Sequence, residues 1–124
     1  MSDTIIQLKR VYEDPAGESS DGWRVFVDRL WPRGESKEKF HYDLWAKDLA
    51  PSDSLREWFH QDPGSRWDEF VSRYRAELAY NPAFAAFTAA CSHHPIVTLL
   101  YGSRDTAHNN AVVIALALRE AMAD

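Results

Sequence analysis

Cysteine is almost missing from this sequence: Cys91 stands alone. One thiol permits no internal disulfide and no cysteine metal cluster, which fits a reducing compartment. Long apolar runs are missing too. No stretch approaches the roughly 18 residues a membrane-spanning helix needs, and the opening MSDTIIQLKR lacks the apolar segment of a signal peptide. A soluble, cytoplasmic protein without a membrane partner is expected. Basic charge is in deficit, with 14 Lys plus Arg against 19 Asp plus Glu, so the surface as a whole repels phosphate backbones and non-specific DNA coating is excluded as the default. Glycine is scarce: Gly64 is isolated, Gly17 and Gly22 sit in a polar loop, and neither a Walker loop nor a GxGxxG array occurs. No cofactor is therefore expected. His41 and His60 have no companion at metal-ligand spacing, and no metal is expected.

What is present is periodicity. The 124 residues suit one domain with a radius of gyration of about 14 Å, and no repeat or linker divides them. Ile5, Ile6, Leu8 and Val11 predict a strand ending at Tyr12 before the polar run EDPAGESSDG. Trp23 to Leu30 predicts a second strand around Val25, Phe26 and Val27, stopped by Pro32 and Gly34. Residues 36–50 read two ways, with Ser36 able to open a helix and Tyr42 to Lys47 alternating enough for a short strand, which is the preferred reading. After Pro51, Ser52 or Asp53 caps a helix bearing Leu55, Trp58 and Phe59 and ending near His60. Pro63 opens another, with Trp67, Phe70, Val71, Tyr74 and Leu78 on one face. A third, PAFAAFTAAC, runs to His93 and His94, both expected at the surface. IVTLLY is apolar without alternation and predicts a central parallel strand. The last helix spans Ala107 to Met122, capped by Asp105 or Thr106. Strands alternating with helices predict an α/β fold: a single three-layer α/β/α domain over residues 1–124 with a short, mainly parallel sheet.

Ligands of open parallel sheets bind beyond the carboxyl ends of the strands. That rule selects Lys9, Arg10 and Tyr12 after the first strand; Asp28, Arg29, Trp31 and Arg33 at the end of the second; and Tyr101, Ser103, Arg104, Asp105, His108 and Asn109 after IVTLLY. Guanidinium forks suit phosphate or carboxylate oxygens, and the start of the last helix adds its free amides. Asp28 and His108 are the candidate acid/base pair, His108 sitting where a helix start would keep it neutral. The same residues equally serve as loop-to-loop ion pairs, Asp28 with Arg29 or Arg104 with Asp105, and Trp31 serves as a packing anchor or a stacking platform. Cys91, in an Ala- and Phe-rich helix, reads as a small buried apolar residue. Ser103 lacks the glycine-flanked elbow of a hydrolase nucleophile.

The segments LKRVYEDP, DGWRVFVDRLWPRG, DLWAKDLAPS and VTLLYGSRDTAHNNAVV resemble the YeaO-like branch of the domain-of-unknown-function 488 family over nearly the whole chain. The resemblance implies a bacterial or archaeal α/β protein with a parallel sheet. Carried over position by position, it marks Lys9, Arg10, Asp28, Arg29, Trp31, Pro32, Arg33, Lys47, Asp48, Arg104, Asp105, His108 and Asn109. The wider family often carries Cys-His-Arg at the start of its last helix; Asn109, Asn110 and Ala111 stand there in this chain, so thiol chemistry does not carry over.

Three functional classes follow. The first is a protein that holds a small anionic, phosphorylated or nucleotide-like molecule at an Arg-rich edge, with or without acid/base catalysis. The second is a nucleic-acid-associated or regulatory module that uses the same edge and stacks a base on Trp31. The third is a partner-binding protein exposing Trp58 and Trp67.

Overall fold

The computed structural model describes residues 3–123. Four strands, β1 (Ile5–Arg10), β2 (Trp23–Phe26), β3 (Leu44–Trp45) and β4 (Ile96–Tyr101), form one parallel sheet in the order β1-β4-β2-β3. The apolar IVTLLY segment is the central strand, as its lack of polar alternation predicts: Leu99 is paired with Leu8 on one side and Val25 on the other. The other three predicted strands are shorter than the sequence suggests: β1 ends at Arg10 instead of Tyr12, because Val11–Glu13 turns into a 3-10 helix. β2 stops at Phe26 instead of Leu30 because only one further ladder bond forms, from the Val27 amide to Leu100 (3.1 Å), before Asp28 turns away. β3 keeps two residues of Tyr42 to Lys47, and the SKEKF segment makes a single turn in which the Phe40 amide reaches the Ser36 carbonyl (3.0 Å).

The four helices are α1 (Asp53–Gln61), α2 (Pro63–Ala79), α3 (Pro82–Cys91) and α4 (Asn110–Met122). Their starts follow cap chemistry. Ser52 accepts from the Leu55 amide, Asn81 from Ala83, and Pro63 and Pro82 occupy first turns, where a missing N–H costs nothing. The start of α4 corrects the sequence expectation: it begins at Asn110, capped by Asn109, whose side chain accepts from the Val112 amide (3.1 Å). Asp105 instead accepts from the amides of Ala107 and His108 (both 3.0 Å), and this local turn holds residues 105–108 out of the helix.

Side-chain alternation along the strands sorts two cores. Val25, Val97 and Leu99 face all four helices, meeting Phe59 of α1, Phe70, Tyr74 and Leu78 of α2, Phe87 and Cys91 of α3, and Ile114 and Leu118 of α4. The opposite face carries Arg24, Phe26, Thr98 and Leu100. The α/β class is the expected one, and its third layer is built from the connections 11–22, which carries two 3-10 turns, and 31–43, which has only turns and bends. One part of that layer is aromatic: Phe40, Trp31, Tyr42 and Trp45 pack around Phe26 and Leu100.

The other part is ionic. Arg24 is 2% exposed; it donates to Asp21 Oδ2 (2.5 Å) and to the carbonyls of His41, Asp14 and Pro15. Lys9 reaches Asp14 and Asp21 at 2.8 and 2.9 Å. Every nitrogen of the guanidinium is thereby matched, which is the condition under which a charge tolerates an interior. Gly17 closes over it at φ +88°, where a Cβ would lie 2.8 Å from Arg24 Cζ.

Candidate functional site

At the carboxyl edge of the sheet the loops after β2 and β4 separate and leave a cleft of about 590 Å³. Its floor is apolar, with Phe59 and Phe70 beneath, and its one inner carboxylate is Asp28. Asp28 sits where β2 ends. Its Oδ2 accepts from the Gly102 amide (2.9 Å), and its carbonyl accepts from Trp45 Nε1 (2.7 Å), so the loop after β4 and the strand β3 both fix it. Burial pushes the Asp28 carboxyl above the ordinary aspartate range, while hydrogen bonds from the Gly102 amide and the Asn110 side chain oppose that rise without cancelling it. The nearby Tyr74 hydroxyl, donating to the Leu49 carbonyl (2.5 Å), is held well above its usual value by burial and additionally by the charge of Asp28.

The rim is cationic. Arg29, Arg33 and Arg56 line it. Arg29 forms an ion pair with Asp53 of α1, both about half exposed, and Arg56 lies 3.8 Å from the same carboxylate. The Arg33 backbone is anchored by Tyr12, whose hydroxyl donates to its carbonyl (2.9 Å). On the far side, His108 Nδ1 lies 3.1 Å from Asp105 Oδ2, and its ring meets Trp67 edge-on at 4.9 Å. Asp105 itself is held below the ordinary carboxylate range by the Ala107 and His108 amides it accepts from. Ser103 Oγ accepts from the Asp105 amide (3.1 Å).

The residues singled out from sequence thus divide. Asp28, Arg29, Trp31, Arg33, Ser103, His108 and Asn109 line the cleft. Asn109 does so with its side chain committed to capping α4 and to the Asp105 carbonyl. Trp31 is committed as well: its Nε1 donates to the Glu35 carbonyl (2.7 Å) and its ring packs edge-on against Phe40, Tyr42 and Trp45. Lys9 lies on the opposite face, in the ionic cluster with Asp14 and Asp21, because its register on β1 matches Gln7, not Leu8. Arg10 is drawn over the Tyr12 ring and donates to the Ser103 carbonyl, outside the lining, and Arg104 and Asp105 also lie outside it. Arg56, Asp53 and His60 enter from α1, which sequence inspection passed over. The signal was available: α1 follows a parallel strand, so its first turns must lie at the same edge as the loops already chosen.

Elsewhere, Trp58 is covered by the guanidinium groups of Arg66 and Arg73 (4.9 and 4.7 Å), and Trp67 packs on Phe59 and Phe70. His94, expected at the surface, is half-buried and stacked on Trp23 at 4.2 Å. Among the described residues no three His, Cys, Asp or Glu side chains gather as a metal requires, and no helix is long and apolar enough to cross a membrane.

Fold and site together define a parallel α/β protein with an apolar-floored, arginine-rimmed cleft at the carboxyl edge of its sheet. The chain belongs to the DUF488 family: the family model described as "Inactive DUF488-N3 subclade" matches residues 5–124. It is 44% identical over 114 residues to the uncharacterized protein YeaO of Escherichia coli K12, covering 92% of this chain and 96% of that protein. It is 42% identical over 113 residues to an uncharacterized protein of Mycobacterium tuberculosis H37Rv, covering 91% and 92%. No solved structure matches the chain.

Proposed function

We propose that this protein binds a small molecule bearing an oxyanion group, phosphate or carboxylate, in the carboxyl-edge cleft, and binds it without turnover. The observation that carries the reading is the convergence of Arg29, Arg33 and Arg56, from two separate segments, on the rim of one cleft. Their forked donors match oxyanion geometry, and the cleft is within the usual size of small-ligand sites. Binding without chemistry is supported by the word "inactive" in the family description. The start of α4 also supports it, because Asn109 and Asn110 are engaged with backbone groups and Ala111 is buried. Asp28 and His108 then act as hydrogen-bonding groups, His108 being oriented by Asp105.

The nucleic-acid alternative needs Trp31 as an open stacking surface, and the aromatic contacts on that ring leave it no supporting observation. Thermal denaturation with a panel of phosphate, phosphomonoesters and carboxylates tests the proposal. A ligand present at 100 times its dissociation constant stabilises by about 2.7 kcal/mol, and that gain should fall sharply in Arg33→Ala and Arg56→Ala. Equal shifts in wild type and both variants would remove the reading.

A further inference from the structure

Asp28 is a carboxylate with no cationic partner among the described residues. Arg29, its neighbour in sequence, turns outward to Asp53, and Lys9 and Arg24 are engaged by Asp14 and Asp21 on the other face of the sheet. What Asp28 touches is neutral: the Gly102 amide and the Asn110 carboxamide. Yet it lines the cleft. A carboxylate largely withdrawn from water gains from an opposite charge brought within contact distance, and none of the described residues supplies one. The same cleft carries arginines at its rim. A ligand that is only an anion satisfies the rim and is repelled by Asp28; a ligand that is only a cation meets the reverse.

We propose that the cleft selects small zwitterions, seating an oxyanion group on Arg29, Arg33 and Arg56 and a protonated amine on the Asp28 carboxylate. The proposal rests on the oxyanion reading of the rim and adds to it the chemistry of the other end of the ligand. Asp28 is then a specificity-determining residue: it discriminates between ligands with and without a nitrogen cation, because a charged hydrogen bond at a partly desolvated site is stronger than the same bond in water.

Two probes of nearly equal size separate the two layers of the claim: O-phosphoethanolamine and 2-hydroxyethyl phosphate, which differ in carrying an ammonium or a hydroxyl. Calorimetric titration of the wild-type protein should give at least ~10-fold tighter binding of the amine, and Asp28→Asn, which keeps an acceptor for the Gly102 amide, should reduce that preference to about 2-fold or less. A second readout needs no variant: in amide NMR spectra of the wild type, the Gly102 resonance should move with O-phosphoethanolamine and stay with 2-hydroxyethyl phosphate. Equal affinities of the two probes, with binding still lost in Arg33→Ala, would overturn the zwitterion claim and leave the oxyanion reading standing. A preference that persists undiminished in Asp28→Asn would overturn the role of Asp28. Binding of neither probe, and of no other anion, would overturn both readings together.

Discussion

Arg29 and Asp53 face each other across the mouth of the cleft, one from the loop after β2 and the other from the first turn of α1, and close an ion pair there. The pair occupies a guanidinium that the proposed ligand needs. Exposed pairs of this kind are worth at most about 1 kcal/mol, so Asp53 competes with a ligand without blocking it. Asp53→Asn should tighten phosphate binding roughly 3- to 5-fold, measured by calorimetry at low salt, and the gain should shrink toward unity as salt screens the rim. Weaker binding in this variant would mean that Asp53 holds Arg29 in its binding position.

The Arg24 cluster should dominate stability on the loop side of the sheet. Replacing Arg24 by Met leaves Asp21 buried with Lys9 as its remaining cation, and loss of one partner of a buried pair typically costs about 3–5 kcal/mol. Urea denaturation of Arg24→Met should show a loss near the lower end of that range. Gly17→Ala should destabilise in the same assay, since its φ of +88° and the contact with Arg24 both reject a side chain.

Acid should act through two opposed groups. The Lys9 hydrogen bond holds Asp14 low, and for Asp21 the bonds from Lys9, Glu18 and Arg24 outweigh a burial effect that works to raise it. Their stabilisation is present above the ordinary carboxyl value of 3.8 and is lost as pH falls through their lower folded values. Asp28 has the opposite sign. Its folded value is raised by burial, so its ionisation burdens the fold at neutral pH and ceases to do so below 3.8. Asp28→Asn should therefore melt above wild type at pH 7, and the two melting curves should converge as pH falls below that value.

Cys91 should be chemically silent in the native protein. It is fully buried, and burial pushes its thiol up to about 12, so little thiolate exists at neutral pH. A disulfide reagent should label it only at the rate of global or local opening, and labelling should become immediate in denaturant. Fast labelling under native conditions would refute this placement.

Removing the cap of α4 should cost about 1 kcal/mol. Asn109→Ala frees the Val112 amide and the Asp105 carbonyl together, and the melting temperature should fall with the cleft's far wall loosened. Asp105→Ala, which releases the 105–108 turn but not the cap, should instead weaken ligand binding with a smaller change in stability.

The sequence was most informative where a local rule had no competitor. Proline and asparagine fixed the starts of α2 and α3, the four-residue spacing of Phe70, Tyr74 and Leu78 named the buried face of α2, and the unbroken apolar run made β4 central. It misled where two caps compete: Asp105 and Asn109 both suit an N-terminus, and the turn that Asp105 closes with the Ala107 and His108 amides leaves Asn109 to serve. It was silent on the loop layer, because the partners of Arg24 are backbone carbonyls of His41, Asp14 and Pro15, which carry no residue-type signal. Half of the cleft was visible as strand-end arginines. The α1 wall, with Asp53 and Arg56, was equally legible in principle, because α1 follows a parallel strand and its first turns lie at the same edge.

The strand order also governs when the sheet can form. β1 and β2 are not neighbours; each pairs with β4, which is the last strand in the chain. During synthesis β2 can therefore join only the two-residue β3, and β1 has no strand to join at all, until residues 96–101 have emerged. β1 therefore stays unpaired for most of translation, and sheet assembly has a single late commitment step, the arrival of β4 between β1 and β2.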